Sequence, residues 1–131
     1  MIGLDTSVLV RAATDDDPKR SPRARSFLSR LSSARPGVVN SVVLAEFAWT
    51  LKSGYGYSRI EIADAIERML RSPSYRVLDR EAVSVALHIC RDEGLDFADA
   101  LLGEINRLSG CETTVTFDQR ASRGSAFHAL A

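Results

Sequence analysis

Five acidic residues lie where their charge interrupts or ends an apolar stretch of the sequence. Asp5 follows the apolar start MIGL, and Asp118 follows TTVTF. Glu46 is the only charge in VVLAEFAWTL, while Asp96 and Asp99 belong to the pattern LDFADALLGEI. Carboxylates held close together bind hard divalent cations such as Mg2+ or Mn2+. Such an ion activates water and neutralises charge on phosphoryl oxygens, so these side chains could support hydrolysis of a phosphodiester.

Several of these carboxylates also have an ordinary structural interpretation. Asp5 precedes a helix that begins at Thr6 or Ser7, where a side-chain oxygen could cap the first free backbone N–H groups. Glu46 could form a salt bridge with one of the many arginines, and Asp118 could be a turn residue. The sequence leaves each alternative open when the residues are taken one at a time.

The helix around Glu46 is apolar on nearly every side from Val42 to Leu51. A helix that is hydrophobic all round is expected to be buried. A buried carboxylate must be paired or must bind a metal. We therefore expect Glu46 to be a buried, functional acid.

The pair Asp96 and Asp99 has the spacing of an N-cap and its box partner. At about 100° per residue, however, Asp96, Asp99 and Gly103 lie on a stripe separate from the apolar face. Gly103 would leave open space below Asp99. We expect Asp96 to act mainly as a cap and Asp99 to have a further role. The apolar face consists of Phe97, Leu101, Ile105 and Leu108.

Strand-like and helix-like segments alternate along the chain. The predicted strands are 2–5, 38–40, 75–78 and 112–116, and the tail from Gln119 onward is ambiguous. The predicted helices start at Thr6 or Ser7, at the cap Ser21-Pro22, at Ser41 (to about Lys52), at the capping box Ser58–Glu61, at about Arg80 (to Glu93), and in LDFADALLGEI (to near Gly110).

This alternation predicts a three-layer α/β/α sandwich around a parallel sheet of four or five strands. Ligands of such sheets bind outside the carboxyl ends of the strands. We expect that edge to gather Asp5, Glu46, Asp99 and Asp118. Like charges at close range oppose ionisation unless a cation offsets them, so the pattern indicates a metal site.

The bulk properties fit one soluble domain over residues 1–131. The chain has 45% hydrophobic residues, 17 basic and 17 acidic residues, and no apolar run of membrane-spanning length. Its start has no basic region of a secretory signal, so we expect a cytoplasmic protein with two reduced thiols. An arginine-rich stretch at 19–35 is either a solvated helix face or a phosphate contact. His88 and His128 do not form a zinc-binding pattern.

An ordered set of motifs resembles the PIN domain family, and within it the VapC-type toxins of bacterial toxin–antitoxin pairs. The motifs are LDTSVLVR, DDDP, NSVVLAEFAW, YGYSRIEI, LDFADALLGEI and TVTFD, and they span nearly the whole chain. The resemblance implies a magnesium- or manganese-dependent ribonuclease that is usually a homodimer. It also implies a small VapB-like antitoxin that plugs the acidic site.

The resemblance assigns the family's four acids to Asp5, Glu46, Asp99 and Asp118. It gives Asp96 a helper position and Thr116 a hydroxyl beside the fourth acid. The family often has asparagine two residues after the first aspartate, whereas this chain has Ser7. This difference leaves the role of Ser7 open and does not affect the acids.

In the expected mechanism, Asp5 and Asp99 hold the main ion, and Glu46 is a ligand or the base that orients water. Asp118 completes the site or supports a second ion, and the sequence does not decide between one ion and two. Arginines around the acids would steer single-stranded RNA. Tyr55 or Tyr57 could stack on bases, although core or dimer packing is the stronger expectation for both.

Two other classes of function fit parts of the pattern. One is a PIN-fold module that binds RNA or protein without catalysis, and the intact set of acids argues against it. The other is a phosphoacceptor receiver domain, which would have a lysine late in the chain. Because this chain has lysine only at Lys19 and Lys52, the receiver interpretation is poor.

Overall fold

A computed structural model describes residues 1–130 of the protein. These residues combine short strands with six α-helices and one 3-10 helix. In chain order the elements are β1 (Ile2–Gly3), α1 (Thr6–Ala13), α2 (Arg20–Ser29), β2 (Gly37–Val39), α3 (Ser41–Tyr55), α4 (Arg59–Arg71), β3 (Tyr75–Val77), α5 (Arg80–Asp92), α6 (Phe97–Leu108), β4 (Thr114–Thr116), the 3-10 helix (Ala121–Arg123) and β5 (Phe127–Ala129).

All strand pairs in residues 1–130 are parallel, which confirms the predicted α/β class. β2 lies between β1 and β3, with Val39 opposite Val77. β4 pairs with β5, with Thr116 opposite Ala129. The prediction of one sheet of four or five strands was wrong in this respect, because the strands form a three-stranded and a two-stranded sheet. β1 has only two residues and pairs with β2 alone, and β4 finds its partner in the tail.

Helix α3 is central to the core because it packs against three other helices, α1, α4 and α6. Its residues Leu44, Phe47 and Leu51 are almost completely buried. Helices α5 and α6 pack closely against each other, and Val83 and Cys90 of α5 are fully buried. Of the apolar face predicted for α6, Phe97 and Leu101 are buried and Ile105 is partly buried, whereas Leu108 at the end of the helix is exposed. No helix in residues 1–130 is both long and apolar enough to cross a membrane.

Two of the helices begin earlier than predicted, α3 by one residue and α2 by two. Asn40 caps α3 instead of Ser41, and its side chain accepts a hydrogen bond from the backbone N–H of Val43. Asparagine is at least as good an N-cap as serine, and its position allows one more helical residue. The box of Ser58 and Glu61 at the start of α4 is present as predicted.

Helix α2 begins at Arg20, so the predicted cap Ser21 lies inside the helix and is buried. Asp17 takes over the start of the helix, because its carboxylate accepts hydrogen bonds from the N–H groups of Lys19 and Arg20. Pro22 still fits, since backbone nitrogens in the first turn of a helix have no partner within the helix.

Candidate active site

Asp5 follows β1 and caps helix α1. Its Oδ2 accepts hydrogen bonds from the Ser7 backbone N–H at 3.2 Å and from the Ser7 hydroxyl at 2.6 Å. These bonds, the hydroxyl first, lower the pKa of the exposed Asp5 carboxyl. The capping interpretation of Asp5 is therefore correct, and Ser7 orients this carboxylate. A cap of this kind leaves the group charged and accessible to solvent.

Glu46 is exposed, so the expectation of a buried acid was wrong. Helix α3 packs on one side only, and Val42 and Trp49 on the other side are each 67% exposed. The Oε1 of Glu46 accepts a hydrogen bond of 3.0 Å from the hydroxyl of Thr6. Because Thr6 directly follows Asp5, this bond brings Glu46 to the same end of β1.

Asp99 is half-buried in the first turn of α6. Burial raises the pKa of its carboxyl, and the negative charges of Asp118 and Asp96 raise it further, while Lys52 opposes them. Asp99 and Asp118 are thus close enough for their charges to interact. The ionised form of Asp99 is destabilised here, and a bound cation would relieve that.

Asp118 lies just beyond β4 and is exposed. Its Oδ1 accepts hydrogen bonds from the backbone N–H groups of Arg120 at 2.8 Å and Ala121 at 3.2 Å. Thr116 is part of the same turn, because its hydroxyl accepts from the Asp118 N–H. The turn interpretation of Asp118 is therefore correct, and the turn also fixes the position of the carboxylate.

Asp96 occupies the N-cap position of α6 but makes no capping hydrogen bond, so the expected box with Asp99 does not form. Its Oδ2 instead lies 2.5 Å from Nζ of Lys52. An ion pair competes well with a cap because both partners are charged. This pair ties the last part of α3 to the start of α6.

The space expected below Asp99 is filled. A Cβ atom built on Gly103 would lie 2.7 Å from Cε2 of Phe127, so the glycine admits the phenylalanine of β5. The expectation of open space at Gly103 was wrong because the sequence did not reveal β5. The glycine instead allows the two-stranded sheet to approach α6.

The acids fit a hard cation by chemistry, but they do not form a ready-made cluster. Within residues 1–130, no three His, Cys, Asp or Glu side chains are grouped so that they could hold one metal ion. Hydrogen bonds and charge interactions divide the five acids into two groups. One is Asp5 with Glu46, linked through Thr6 and Ser7, and the other is Asp99 with Asp96 and Asp118. Closing both groups around a single ion requires carboxylates to move, and their meeting at one point stays a prediction.

Cationic and aromatic side chains that the sequence analysis missed surround Asp96 and Asp99. One cavity is lined by both acids together with Trp49 and Lys52. A neighbouring cavity of about 330 Å³ shares the acids and Lys52. For Trp49 the sequence holds one signal, its position three residues after Glu46 in the same helix. The other cations around the cavities are Arg59, Arg120 and Arg123.

The tyrosines considered for base stacking are engaged in packing. The Tyr55 hydroxyl donates to Asp16 at 2.6 Å, and the Tyr57 hydroxyl donates to the carbonyl of Ala13 at 2.9 Å. Both rings pack partly buried against the core. The structural interpretation of these tyrosines is therefore correct.

The DDDP motif also has structural partners. Asp15 pairs with Arg25 at 2.5 Å, and Asp16 pairs with Arg11 at 3.1 Å. Asp17 caps α2 as described above. This acidic run therefore holds α1 and α2 together and neutralises part of the arginine-rich stretch.

The domain combines helices with parallel strands, and acidic residues lie just beyond the carboxyl ends of β1 and β4. A family model described as PIN domain matches residues 2–126. The chain belongs to the PIN domain family. PIN domains are generally metal-dependent nucleases, and many are toxin ribonucleases. No curated protein matches this chain.

Proposed function

We propose that this protein is a divalent-metal-dependent endoribonuclease that cleaves single-stranded RNA. The observation that carries the proposal is Asp99, a half-buried carboxylate that lines a cavity together with Asp96 and whose pKa is raised by burial and by the charges of Asp118 and Asp96. A site that accumulates negative charge in this way favours a bound cation. Membership of a nuclease family makes the phosphodiester the expected substrate.

The residues would divide the work according to their surroundings. Asp5 and Asp99 would hold Mg2+ or Mn2+, which supplies charge neutralisation and an activated water when bound. Glu46 is exposed and oriented by Thr6, so it suits a ligand or a base that accepts a proton from the attacking water. Asp118 would complete the site. Asp96 would have a supporting role through its ion pair with Lys52.

The direct test is cleavage of a single-stranded RNA by purified protein with Mg2+ or Mn2+, with EDTA, and with metal restored after EDTA. We expect cleavage in the first and third conditions only. Asp99→Asn purified in the same way controls for contaminating ribonucleases. Undiminished cleavage in EDTA would show that the metal mechanism is wrong. RNA binding with no cleavage under any metal would favour the alternative, a PIN-fold binding module without catalysis.

The proposal extends to a cytoplasmic VapC-type toxin neutralised by a small VapB-like antitoxin. A groove of about 550 Å³ lies beside Asp5 between β1, α1 and α2. A partner helix could place its apolar face in such a groove. An arginine from the partner could then pair with the neighbouring carboxylates and displace the metal. The apolar lining of the groove includes Ile2, Leu4, Val8, Ala24 and Phe27.

The antitoxin proposal is tested by calorimetry of the small protein encoded beside this one. We expect it to bind Asp99→Asn more weakly than the unmodified protein, because one carboxylate partner is lost. Equal affinity for the two proteins would show that inhibition does not act through the acidic site. Sedimentation of each protein alone tests the expected homodimer.

A further inference from the structure

Trp49 is the only tryptophan in the chain, and it is 67% exposed on the outer side of α3. It follows Glu46 by three residues, which places the two on one face of the helix. The core side of α3 is occupied by Leu44, Phe47 and Leu51. The packing of the helix therefore does not require a tryptophan at position 49.

A single exposed hydrophobic side chain is normal on a protein surface. What distinguishes Trp49 is the cavity that it lines, because Asp96, Asp99, Lys52 and Arg59 line the same cavity. An exposed indole ring thus lines the same cavity as two of the carboxylates of the proposed active site.

The cations of the two adjoining cavities come from separate elements of the fold. Lys52 pairs with Asp96, and an Nη of Arg59 donates to the carbonyl of Cys90, so both side chains have fixed positions. Arg120 and Arg123 are exposed and make no ion pair within residues 1–130. Trp49 lines one of the two cavities, Arg120 and Arg123 line the other, and Asp99 lines both.

We propose that Trp49 is a stacking platform for a base of single-stranded RNA beside the bond that is cleaved. The phosphates on either side of that base would run along Lys52, Arg59, Arg120 and Arg123. Proteins that bind single strands combine such a positive track with aromatic rings on which bases stack, and every base has a face that can stack. This inference rests on the proposed function for the identity of the substrate. It adds the residue that would position the strand.

The single tryptophan allows the proposal to be tested by its own fluorescence. Protein in EDTA is titrated with a short oligoadenylate and with an abasic oligonucleotide of the same length and charge. Stacking predicts saturable quenching by the oligoadenylate and little quenching by the abasic strand. Equal quenching by both, or none by either, would overturn the proposal.

Substitutions at the ring test whether stacking contributes to affinity and to catalysis. Loss of one stacked base weakens binding about 5- to 150-fold, so we expect Trp49→Ala to lower RNA affinity and raise KM by that factor, with a smaller change in kcat. Trp49→Tyr keeps an aromatic face and should recover most of the affinity. Val42→Ala is the matched control, because Val42 is equally exposed on the same helix and does not line the cavity. Unchanged KM in Trp49→Ala would contradict the proposal.

A second copy of the chain could instead cover Trp49. In that case the emission maximum of the free protein would shift with concentration, and Trp49→Ala would change the sedimenting mass. Either result would overturn the stacking proposal. Base-dependent quenching without any cleavage would support stacking on Trp49 and refute the proposed catalysis. Cleavage without base-dependent quenching would support the catalysis and refute the stacking.

Discussion

Four of the proposed acidic residues have a specific partner in the fold. Asp5 accepts from Ser7, Glu46 from Thr6, Asp96 from Lys52, and Asp118 from the backbone of its own turn. These hydrogen bonds determine where the carboxylates point, and they leave the carboxylates of Asp5, Glu46 and Asp118 exposed. Because asparagine caps almost as well as aspartate, an amide at a capping position removes the charge with little effect on the local structure.

We therefore expect Asp5→Asn and Asp99→Asn each to reduce RNA cleavage by more than about 100-fold while the protein stays folded. Loss of a residue that only supports a metal ligand costs about 10- to 100-fold, so loss of a ligand should cost at least as much. Asp96→Asn should have a smaller effect. Cleavage rates and circular dichroism of each variant make the comparison, with Asp92→Asn as the control, since Asp92 is exposed at the end of α5. Near-normal rates in both variants would show that the active site lies elsewhere.

Asp99→Asn should also stabilise the metal-free protein at neutral pH. The pKa of Asp99 is raised above its ordinary value of 3.8 by burial and by Asp118 and Asp96. The stability of the folded protein is therefore highest, as far as Asp99 is concerned, below the pKa that this carboxyl has in the unfolded chain. This advantage is lost as the pH rises through the pKa that it has in the folded protein. The unmodified protein carries this penalty at neutral pH, and the variant does not.

Thermal unfolding in EDTA at a series of pH values measures this difference. We expect the Tm of Asp99→Asn to exceed that of the unmodified protein at pH 7, and the excess to shrink as the pH falls toward the ordinary aspartate value. An excess that does not depend on pH would show that the repulsion among these carboxylates is not its cause.

At the scale of elements, local patterns in the sequence predicted the structure well wherever local interactions decide it. The capping box of Ser58 and Glu61 starts α4, and Ile62 and Ile66, four residues apart, are buried on one face of this helix. Such features involve residues three or four apart, so one stretch of sequence contains all the information needed.

Features that depend on distant pairing were not predictable in this way. The burial of Glu46 was predicted from an apolar helix, but apolarity does not reveal which side of α3 lacks a packing partner. The strand β5, which pairs with β4, lies in the tail whose sequence shows no clear strand pattern. This pairing brings Phe127 against Gly103. The acids themselves could be predicted from the ordered motifs, whereas the cations around them come from α3, α4 and the 3-10 helix.

The contact between α6 and β5 predicts that alanine has opposite effects on stability at two glycines, Gly103 and Gly54. Gly103→Ala should lower the free energy of unfolding by about 1–3 kcal/mol, because the new methyl group would meet the Phe127 ring in a packed region. Gly54→Ala should instead raise it by up to about 1 kcal/mol, because Gly54 lies in α3 with open space around it and alanine favours the helix. Denaturant unfolding of both variants measures whether each substitution raises or lowers the free energy of unfolding. A stabilising effect of Gly103→Ala would show that Phe127 does not occupy this space in solution.

For the whole molecule, the zero net charge means that attraction to RNA must come from the arrangement of the charges. The arginine-rich stretch is partly neutralised, since Asp15 pairs with Arg25 and Asp17 with Arg20. Folding brings Lys52 and Arg59, from the end of α3 and the start of α4, next to Arg120 and Arg123 at the distant 3-10 helix. The fold thus creates a local positive surface that the composition does not show.

This surface predicts how RNA affinity depends on salt. If its four cations contact phosphates, the logarithm of the binding constant should fall with the logarithm of salt concentration with a slope of about −3, since each contact on a single strand contributes about −0.7. Removing two of the contacts in Arg120→Gln/Arg123→Gln should reduce the slope to about half, and affinity should fall for every RNA sequence alike. Arg30→Gln/Arg35→Gln is the matched control, because Arg30 and Arg35 are exposed and Arg35 precedes β2, at the opposite end of the strand from the acidic residues. Fluorescence anisotropy of a labelled RNA in EDTA at several salt concentrations gives all three slopes. If the control pair lowered the slope and the Arg120 and Arg123 pair did not, the RNA would contact the arginine-rich stretch at 19–35 instead of Trp49 and Asp99.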